Sequence, residues 1–425
     1  MRNALLTVGA FLLGLTSARA QNASTGTVLT WGRCMEIARR QNPALLAAER
    51  GVQASLLQYR NSFNGLMPHV SLSNSYSNSD TLNSLGHYTN ADNWEESANA
   101  SLDLFNAQDY ASMSTSKAQE MQAKANLAQV SAQVRLTLAE AFIKLIYNEQ
   151  RVAVDGQIED IQKTNAQMVS LEYKSGQESK GDMMTSQAQY LQAQVTVSND
   201  LLNIRAAKME LNNQLGQDQF SDIEVTGTLD YSKLPLPDFP SLVAQTPQVA
   251  VAEAAVILSR AGLETSEVSL WPDFSATASR FYNGNTEFPH NPHWSWGASL
   301  SLPIFGSGPT AAYYQISAAK ESLAQAEENL RASRDSTRSL LEQDWTSLNE
   351  DADLVAANRD LFAAAQQRYT ESTIRYNAGI MPFETWILSV SDLINFKQGY
   401  LGSELNAALS EAQWNNAVGK GLPWR

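Results

Sequence analysis

Apolar residues recur at every third or fourth position through two long stretches of the chain. This spacing is typical of the buried seam between helices that pack side by side, as in a coiled coil. Proline breaks helix interiors, and none occurs between Pro68 and Pro235 or between Pro309 and Pro382. A helix from about Asp109 to Tyr173 would be ~100 Å long at ~1.5 Å per residue. The two seams are Leu127, Val130, Val134, Leu138, Ala141 and Leu145, and Leu341, Trp345, Leu348, Ala352 and Val355.

Four shorter stretches alternate between apolar and polar residues, which predicts strands with one apolar face. The clearest are Trp94 to Leu104, where Glu96 interrupts the apolar face, and Trp294 to Ile304. Each is preceded by a partner stretch, Val70 to Tyr76 in one case and Phe274 to Phe281 in the other. The polar segments between partners, 79–93 and 283–292, are predicted to be exposed loops.

Both patterns occur twice, at an offset of about 203 residues. Glu172–Gly176 returns as Arg375–Gly379, and Asn212–Gly216 returns as Asn415–Gly419. A period this long indicates a duplicated half-domain, because solenoid repeats are ~20–50 residues long. We therefore predict a first structural repeat at 21–216 and a second at 248–425. The proline-rich segment 217–247 between them is predicted to be a connector with little regular structure.

The first 20 residues are predicted to be a signal peptide. Arg2 precedes the apolar run from Leu5 to Leu15, and Ala18-Arg19-Ala20 fits a cleavage site. The single cysteine, Cys34, lies too far beyond that site to carry a lipid, so we do not expect a lipoprotein. The net charge of −14 excludes nucleic-acid binding through a general basic surface.

Export and the four amphipathic strands favour a membrane sheet with tryptophans near its ends, as in interfacial belts. A sheet in hydrocarbon must close on itself, because open edges leave backbone groups unpaired. Two chains would give a barrel of eight strands, whose interior is filled by side chains. Three chains would give a barrel of twelve strands, which leaves room for a pore. The alternative is a soluble β-sandwich packed beneath a helical stalk.

Catalytic and metal-binding motifs are weak in this sequence. Two Ser-x-x-Lys tetrads, which begin at Ser114 and Ser317, lack the companion motifs of serine acyl-enzymes. His290 and His293 could ligate a metal ion, but no third ligand is apparent. We therefore expect neither an enzyme nor a cofactor.

Several motifs occur in the order found in a known family. They are Leu29-Thr30-Trp31 with Asn42-Pro43-Ala44-Leu45, Leu302-Pro303-Ile304-Phe305-Gly306, Arg375-Tyr376-x-x-Gly379 and Gly419-Lys420-Gly421-Leu422-Pro423-Trp424. With the duplication and the signal peptide, they make the mature chain resemble the TolC-type outer-membrane efflux proteins.

The resemblance implies a mainly α-helical homotrimer. Its twelve-stranded β-barrel would lie among outer-membrane lipids of a Gram-negative bacterium, above a long periplasmic α-helical barrel. Such proteins are passive exit ducts of tripartite efflux or type I secretion systems. They dock with a periplasmic adaptor and an inner-membrane pump. The short C-terminal tail favours the drug and metal efflux branch.

The resemblance also implies a gate at the periplasmic tip. In the family, an arginine and acidic residues help close the aperture, and here these positions hold Met381, Thr385 and Leu388. Asp182 matches a family partner of the tyrosine that corresponds to Tyr376. We expect a tether between Asp182 and Tyr376 and an apolar ring of Leu388, with Glu384 close by. The main rival interpretation is an exported coiled-coil structural or adhesive protein without a pore.

Overall fold

The computed structural model describes residues 27–82, 86, 88–304, 308 and 310–422. Three sequence predictions lie outside the described residues: the signal peptide at 1–20, the Phe305-Gly306 end of one family motif, and the Pro423-Trp424 ending.

The described chain is mostly helical, with one four-stranded and one two-stranded sheet. Its helices are α1 (Trp31–Gln41), α2 (Pro43–Ser62), α3 (Ala107–Ser175), α4 (Lys180–Leu215), α5 (Phe239–Val243), α6 (Pro247–Val268), α7 (Ala311–Asn377) and α8 (Phe383–Ala417), with a 3-10 turn at Phe63–Leu66. Its strands are β1 (Thr27–Leu29), β2 (His69–Leu82), β3 (Tyr88–Phe105), β4 (Ile223–Val225), β5 (Asp273–Gly284) and β6 (Asn291–Ser301). Helix, strand, strand, long helix and helix thus follow one another twice.

The two longest helices have 69 and 67 residues, so each is ~100 Å long. The predicted helix from Asp109 to Tyr173 is confirmed to within two residues at each end, since α3 runs from Ala107 to Ser175. Helix α3 packs along α4, α7 packs along α8, and α3 also contacts α8. No helix in the described part of the chain is both long and apolar enough to cross a membrane.

The larger sheet is antiparallel, with the strand order β2-β3-β5-β6. Each half of the chain contributes one hairpin, and the inner strands β3 and β5 join the hairpins. The outer strands β2 and β6 each have one edge without a strand partner among the described residues. The apolar face of this sheet is exposed, with Leu72, Trp294 and Trp296 each more than 70% accessible.

The predicted loop at 79–93 is wrong over most of its length, because β2 continues to Leu82 and β3 begins at Tyr88. Polar side chains bridge the strands here: Asn78 Nδ2 donates to Asp92 Oδ1 at 2.7 Å, and the Tyr76 hydroxyl donates to the same oxygen at 2.7 Å. A hydrophobic pattern cannot detect a strand that is polar on both faces.

The second predicted loop, 283–292, is shorter than expected, because β5 extends to Gly284 and β6 begins at Asn291. The predicted strand from Trp294 to Ile304 ends early, at Ser301. Pro303 follows two residues later and has no N–H to donate to a ladder.

Corresponding cores lie at the ends of the helix pairs nearer the sheet. In the first, Cys34, Leu138 and Leu215 are fully buried, and in the second, Leu341, Leu348 and Trp414 are buried. The repeated glycines end α4 and follow α8 with positive φ, 73° at Gly216 and 79° at Gly419. A Cβ on Gly216 would lie 2.2 Å from the Gln41 carbonyl oxygen, so this close approach requires glycine.

The connector contains two short regular elements. Its β4 pairs in parallel with β1, and the short α5 packs against α7. These contacts hold the connector against both halves. The predicted boundaries at 216 and 247 stay predictions.

Candidate functional site

The two long helical hairpins turn at the end of the molecule away from the sheet. We call this end the tip and define it as residues 172–184 and 374–388. The first turn begins at Gly176, with φ 79°, and ends at Ser179, which caps α4. Ser179 Oγ accepts from the Asp182 N–H at 3.1 Å and donates to the Asp182 carboxylate at 2.5 Å. Asp182 therefore stabilises the first turn of α4, where an acidic residue is favourable.

An aromatic cluster fastens the second turn to the helices. The Tyr376 and Trp386 rings stack with centroids 4.4 Å apart and an interplanar angle of 4°, and Phe383 packs against both. Trp386 is fully buried, and its indole N–H donates to Thr373 Oγ1 at 3.1 Å. The fully buried Val169 of α3 belongs to the same cluster. The cluster thus joins α3 of one hairpin to α7 and α8 of the other.

The Tyr376 hydroxyl extends from this cluster to the first turn. It donates to Glu178 Oε1 at 2.9 Å, across 198 residues of sequence. Burial raises the pKa of Tyr376 far above its usual value, and the hydrogen bond to Glu178 and the nearby carboxylate of Glu172 raise it further. The phenol therefore stays protonated and acts as a permanent hydrogen-bond donor between the hairpins.

An acidic cavity of about 750 Å³ lies between the two turns. Its lining includes four carboxylates, from Glu172, Glu178, Asp182 and Glu384, and no lysine or arginine among the described residues. One oxygen of Glu172 is buried without a hydrogen-bond partner in the described structure. The cavity therefore concentrates negative charge beside an apolar cluster.

The structure brings together three of the five predicted tip residues. Asp182, Tyr376 and Glu384 line the acidic cavity, whereas Thr385 and Leu388 do not. Within the chain, the Tyr376 hydroxyl bonds to Glu178 and the Asp182 carboxylate bonds to Ser179. A tether between Asp182 and Tyr376 of neighbouring helix pairs stays a prediction. Glu178 was missed, although an acid between Gly176 and Asp182 was a visible signal.

Helix α8 has a free face at the tip. Phe383, Trp386 and Val390 are buried in the aromatic cluster, while Leu388 on the other side is 65% exposed. Glu384 and Thr385 are exposed too, and the exposed positions continue along α8 at Ser391 and Asn395. These positions recur about once per turn, so they form one stripe with a leucine near its end.

The sequence model of the outer membrane efflux protein family matches residues 35–217 and 240–383, well over half of the chain. The chain belongs to this family. The resemblance seen in the sequence motifs is thereby confirmed. No curated protein matches the sequence significantly.

Solved outer-membrane channels share the fold of this efflux protein. CusC superimposes with a TM-score of 0.82 at 15% identity, covering 92% of both chains. The open-state MtrE channel of Neisseria gonorrhoeae gives 0.79 at 16% identity, covering 92% of this chain and 89% of that one. CmeC of Campylobacter jejuni gives 0.78 at 14% identity, covering 98% and 94%. At these identities the likeness establishes the fold.

The efflux protein departs from the family pattern at the tip. Met381, where the resemblance implies an arginine, packs against the aromatic cluster. The tip of this chain is therefore held by stacking and by a phenol–carboxylate bond.

The weaker chemical candidates have other partners in this protein. Ser114 donates to Glu264 at 2.9 Å and Lys117 pairs with Glu120 at 2.6 Å, so the tetrad is not arranged as a nucleophile and base. His293 stacks on Phe281, and the described residues contain no group of three metal-ligating side chains.

Proposed function

We propose that three copies of this chain form an outer-membrane channel, which serves as the passive exit duct of a tripartite efflux system. The observation that carries the proposal is the four-stranded sheet, which has an exposed apolar face and two open edges. Hydrocarbon tolerates such a sheet only if its edges are paired. Pairing β6 of each copy with β2 of the next would close a barrel of twelve strands.

The length of the apolar stripe supports a membrane location. The stripe covers eleven residues, or ten residue-to-residue steps, both on β3, from Trp94 to Leu104, and in the segment that begins in β6, from Trp294 to Ile304. Ten steps along a strand extend ~33 Å, and a tilt of ~40° reduces this to ~25 Å across the membrane. That height is the height of the apolar band in outer-membrane barrels.

The helices supply the periplasmic part of the proposed duct. Three copies of two hairpins would enclose a tube ~100 Å long, whose far end is the tip. We place the docking of the periplasmic adaptor, and through it the inner-membrane pump, at this end. The pump would supply the energy, because the chain itself offers no catalytic constellation.

The tip is the proposed gate. Asp182, Tyr376 and Glu384 line the acidic cavity. We expect them to hold the two turns of one chain together and to form contacts between neighbouring chains. Thr385 and Leu388, on the free stripe of α8, would face the axis, where three leucines make an apolar constriction. The exported coiled-coil alternative offers no role for the exposed apolar sheet.

The test combines mass and conductance. Protein extracted from outer membranes with detergent is expected to have the mass of three copies and to give single-channel currents in a planar bilayer. A stable monomer in the soluble periplasmic fraction would contradict the proposal. Metabolic labelling with palmitate should leave the protein unlabelled, since no lipid anchor is expected.

A further inference from the structure

Arg280 is the only lysine or arginine in the four strands of the large sheet. The register places it on the apolar face, directly opposite Trp294 on β6 and Ala98 on β3. Its guanidinium lies 5.5 Å from the centre of the Tyr282 ring. Within the described residues it forms no ion pair, unlike many of the other arginines. An unpaired cation therefore projects from a face that is mainly apolar and also carries Asn74 and Glu96.

Arg280 lies beside Trp294, at the end of the β6 apolar stripe that is farther from the helices. Trp294 begins the stripe on β6, and Tyr282 is the next residue along β5 on the same face. On the neighbouring hairpin, Tyr76 packs against Trp94 at 4.8 Å, and the register pairs Trp94 with Gly284, four residues beyond Arg280 on β5. Aromatic girdles of this kind lie at the membrane interface, where a charge on the lipid face is tolerated far better than at the midplane. The headgroups of the outer leaflet lie at this height.

A shallow cavity of about 550 Å³ surrounds the guanidinium. Asn74, Glu96 and Tyr282 contribute polar groups to its lining, and Leu72 and Ala98 contribute apolar ones. The amide of Asn74 and the guanidinium can both donate hydrogen bonds to an anion.

A short groove of two residue rows adjoins this cavity on the side of the helices, and Leu102 on β3 ends it. Its floor is formed by alanines on the two inner strands, and its walls are larger residues on the outer strands. The register aligns Val70, Ala100, Ala278 and Trp296 in one row, and Leu72, Ala98, Arg280 and Trp294 in the next. The width between the walls is two strands, roughly 10 Å, which accommodates hydrocarbon chains.

We propose that Arg280 binds the phosphate of a lipid of the outer leaflet, while an acyl chain of that lipid lies in the alanine groove. Arginine matches phosphate with two parallel hydrogen bonds. The carboxylate of Glu96 disfavours a free anion, which would gain nothing from the groove to offset the repulsion. A lipid gains apolar contact along the whole groove. The proposal rests on the proposed function, because it requires this face to meet lipid.

The test is native mass spectrometry of the detergent-extracted trimer, titrated with lipid A that carries its phosphates. Arg280→Gln is expected to weaken retention of the lipid about tenfold or more, since a hydrogen bond to a charged group is lost. Glu96→Gln should bind the lipid equally or more tightly. Arg338→Gln, at an exposed arginine of α7, is the matched control and should bind as the unmodified protein does.

Three outcomes would overturn the headgroup site. One is equal retention by Arg280→Gln, and another is equal retention of dephosphorylated lipid A by the unmodified protein. The third is equal loss in Arg280→Gln and Glu96→Gln, which would mean that these side chains only pair with each other. Inorganic phosphate should not compete. The trimer mass and the conductance are measured on the same samples, so failure of the proposed function is seen separately.

Discussion

A buried cluster of charges links three helices midway along the helical body. Arg151 Nε lies 3.2 Å from Asp155 Oδ2 on α3 and 3.2 Å from Asp200 Oδ1 on α4. Both aspartate side chains are 2% exposed. Gln398 of α8 donates to the other oxygen of Asp155 at 2.7 Å. Two buried carboxylates thus share one cation, whose own side chain is partly exposed.

This arrangement makes the stability of the protein depend on pH. Burial, together with a hydrogen bond with Asp155, raises the pKa of Asp200 to about 6, although the attraction of Arg151 opposes both. A group with a raised pKa in the folded state binds its proton more tightly there than in the unfolded chain. Stability is therefore gained as pH falls through 6 towards the unfolded value of 3.8, and it is lost as pH rises.

The magnitude follows from the two pKa values. Above pH 7 the buried charge costs up to about 3 kcal/mol per chain, at about 1.4 kcal/mol per pKa unit. Between pH 7.5 and pH 5, roughly 1.4 kcal/mol of this cost is removed by protonation of Asp200. Asp200→Asn should abolish this part of the pH dependence, and it should raise stability at pH 7.5.

The assay is guanidinium unfolding of the detergent-extracted protein, followed by helical circular dichroism at pH 7.5 and pH 5. Other buried carboxyls also titrate, so the informative quantity is the difference between variant and unmodified protein. Asp335→Asn, at an exposed position of α7, is the control and should leave the pH dependence unchanged. If Asp200→Asn destabilises the protein at pH 7.5 and keeps the full pH dependence, attraction by Arg151 outweighs burial and the reasoning is refuted.

The tip offers a second prediction. Asp182→Ala combined with Tyr376→Phe should raise the resting conductance in a planar bilayer, and Leu388→Ser should raise it further; unchanged conductance in the triple variant would place the constriction elsewhere. Tyr376→Phe alone should destabilise the protein by about 1.5–3 kcal/mol in urea unfolding, because the bond to a carboxylate is lost while the stacking remains. Gly216→Ala should lower the free energy of unfolding by about 1–3 kcal/mol or more in the same measurement. Gly262→Ala inside α6 is the control and should be neutral or stabilising. Purified protein should not hydrolyse esters or β-lactams, and turnover that disappears in Ser114→Ala would contradict this.

The long helices could be predicted because their information is local. A seam of apolar residues and the absence of proline define α3 to within two residues, whatever the helix packs against. The recurrence of Gly216 and Gly419 has a local cause too, since both have the positive φ that favours glycine at a helix end. Polar strand ends were missed, because the pairing of Asn78 with Asp92 is a contact between strands and leaves no hydrophobic alternation.

The features of the candidate site can likewise be separated into those set by local sequence and those set by tertiary contacts. The sequence by itself determined the duplication, the four amphipathic strands, and the membership of Asp182 and Tyr376 in the two turns of the tip. Only the tertiary structure decided that Tyr376 bonds to Glu178 and that Arg280 stands opposite Trp294. The reason is geometric: the partner of Tyr376 depends on how two ~100 Å hairpins are rotated about each other. If one hairpin were rotated by the angle of one residue, a different carboxylate would contact the Tyr376 hydroxyl. The apolar pattern in the sequence of each helix would be the same in both arrangements.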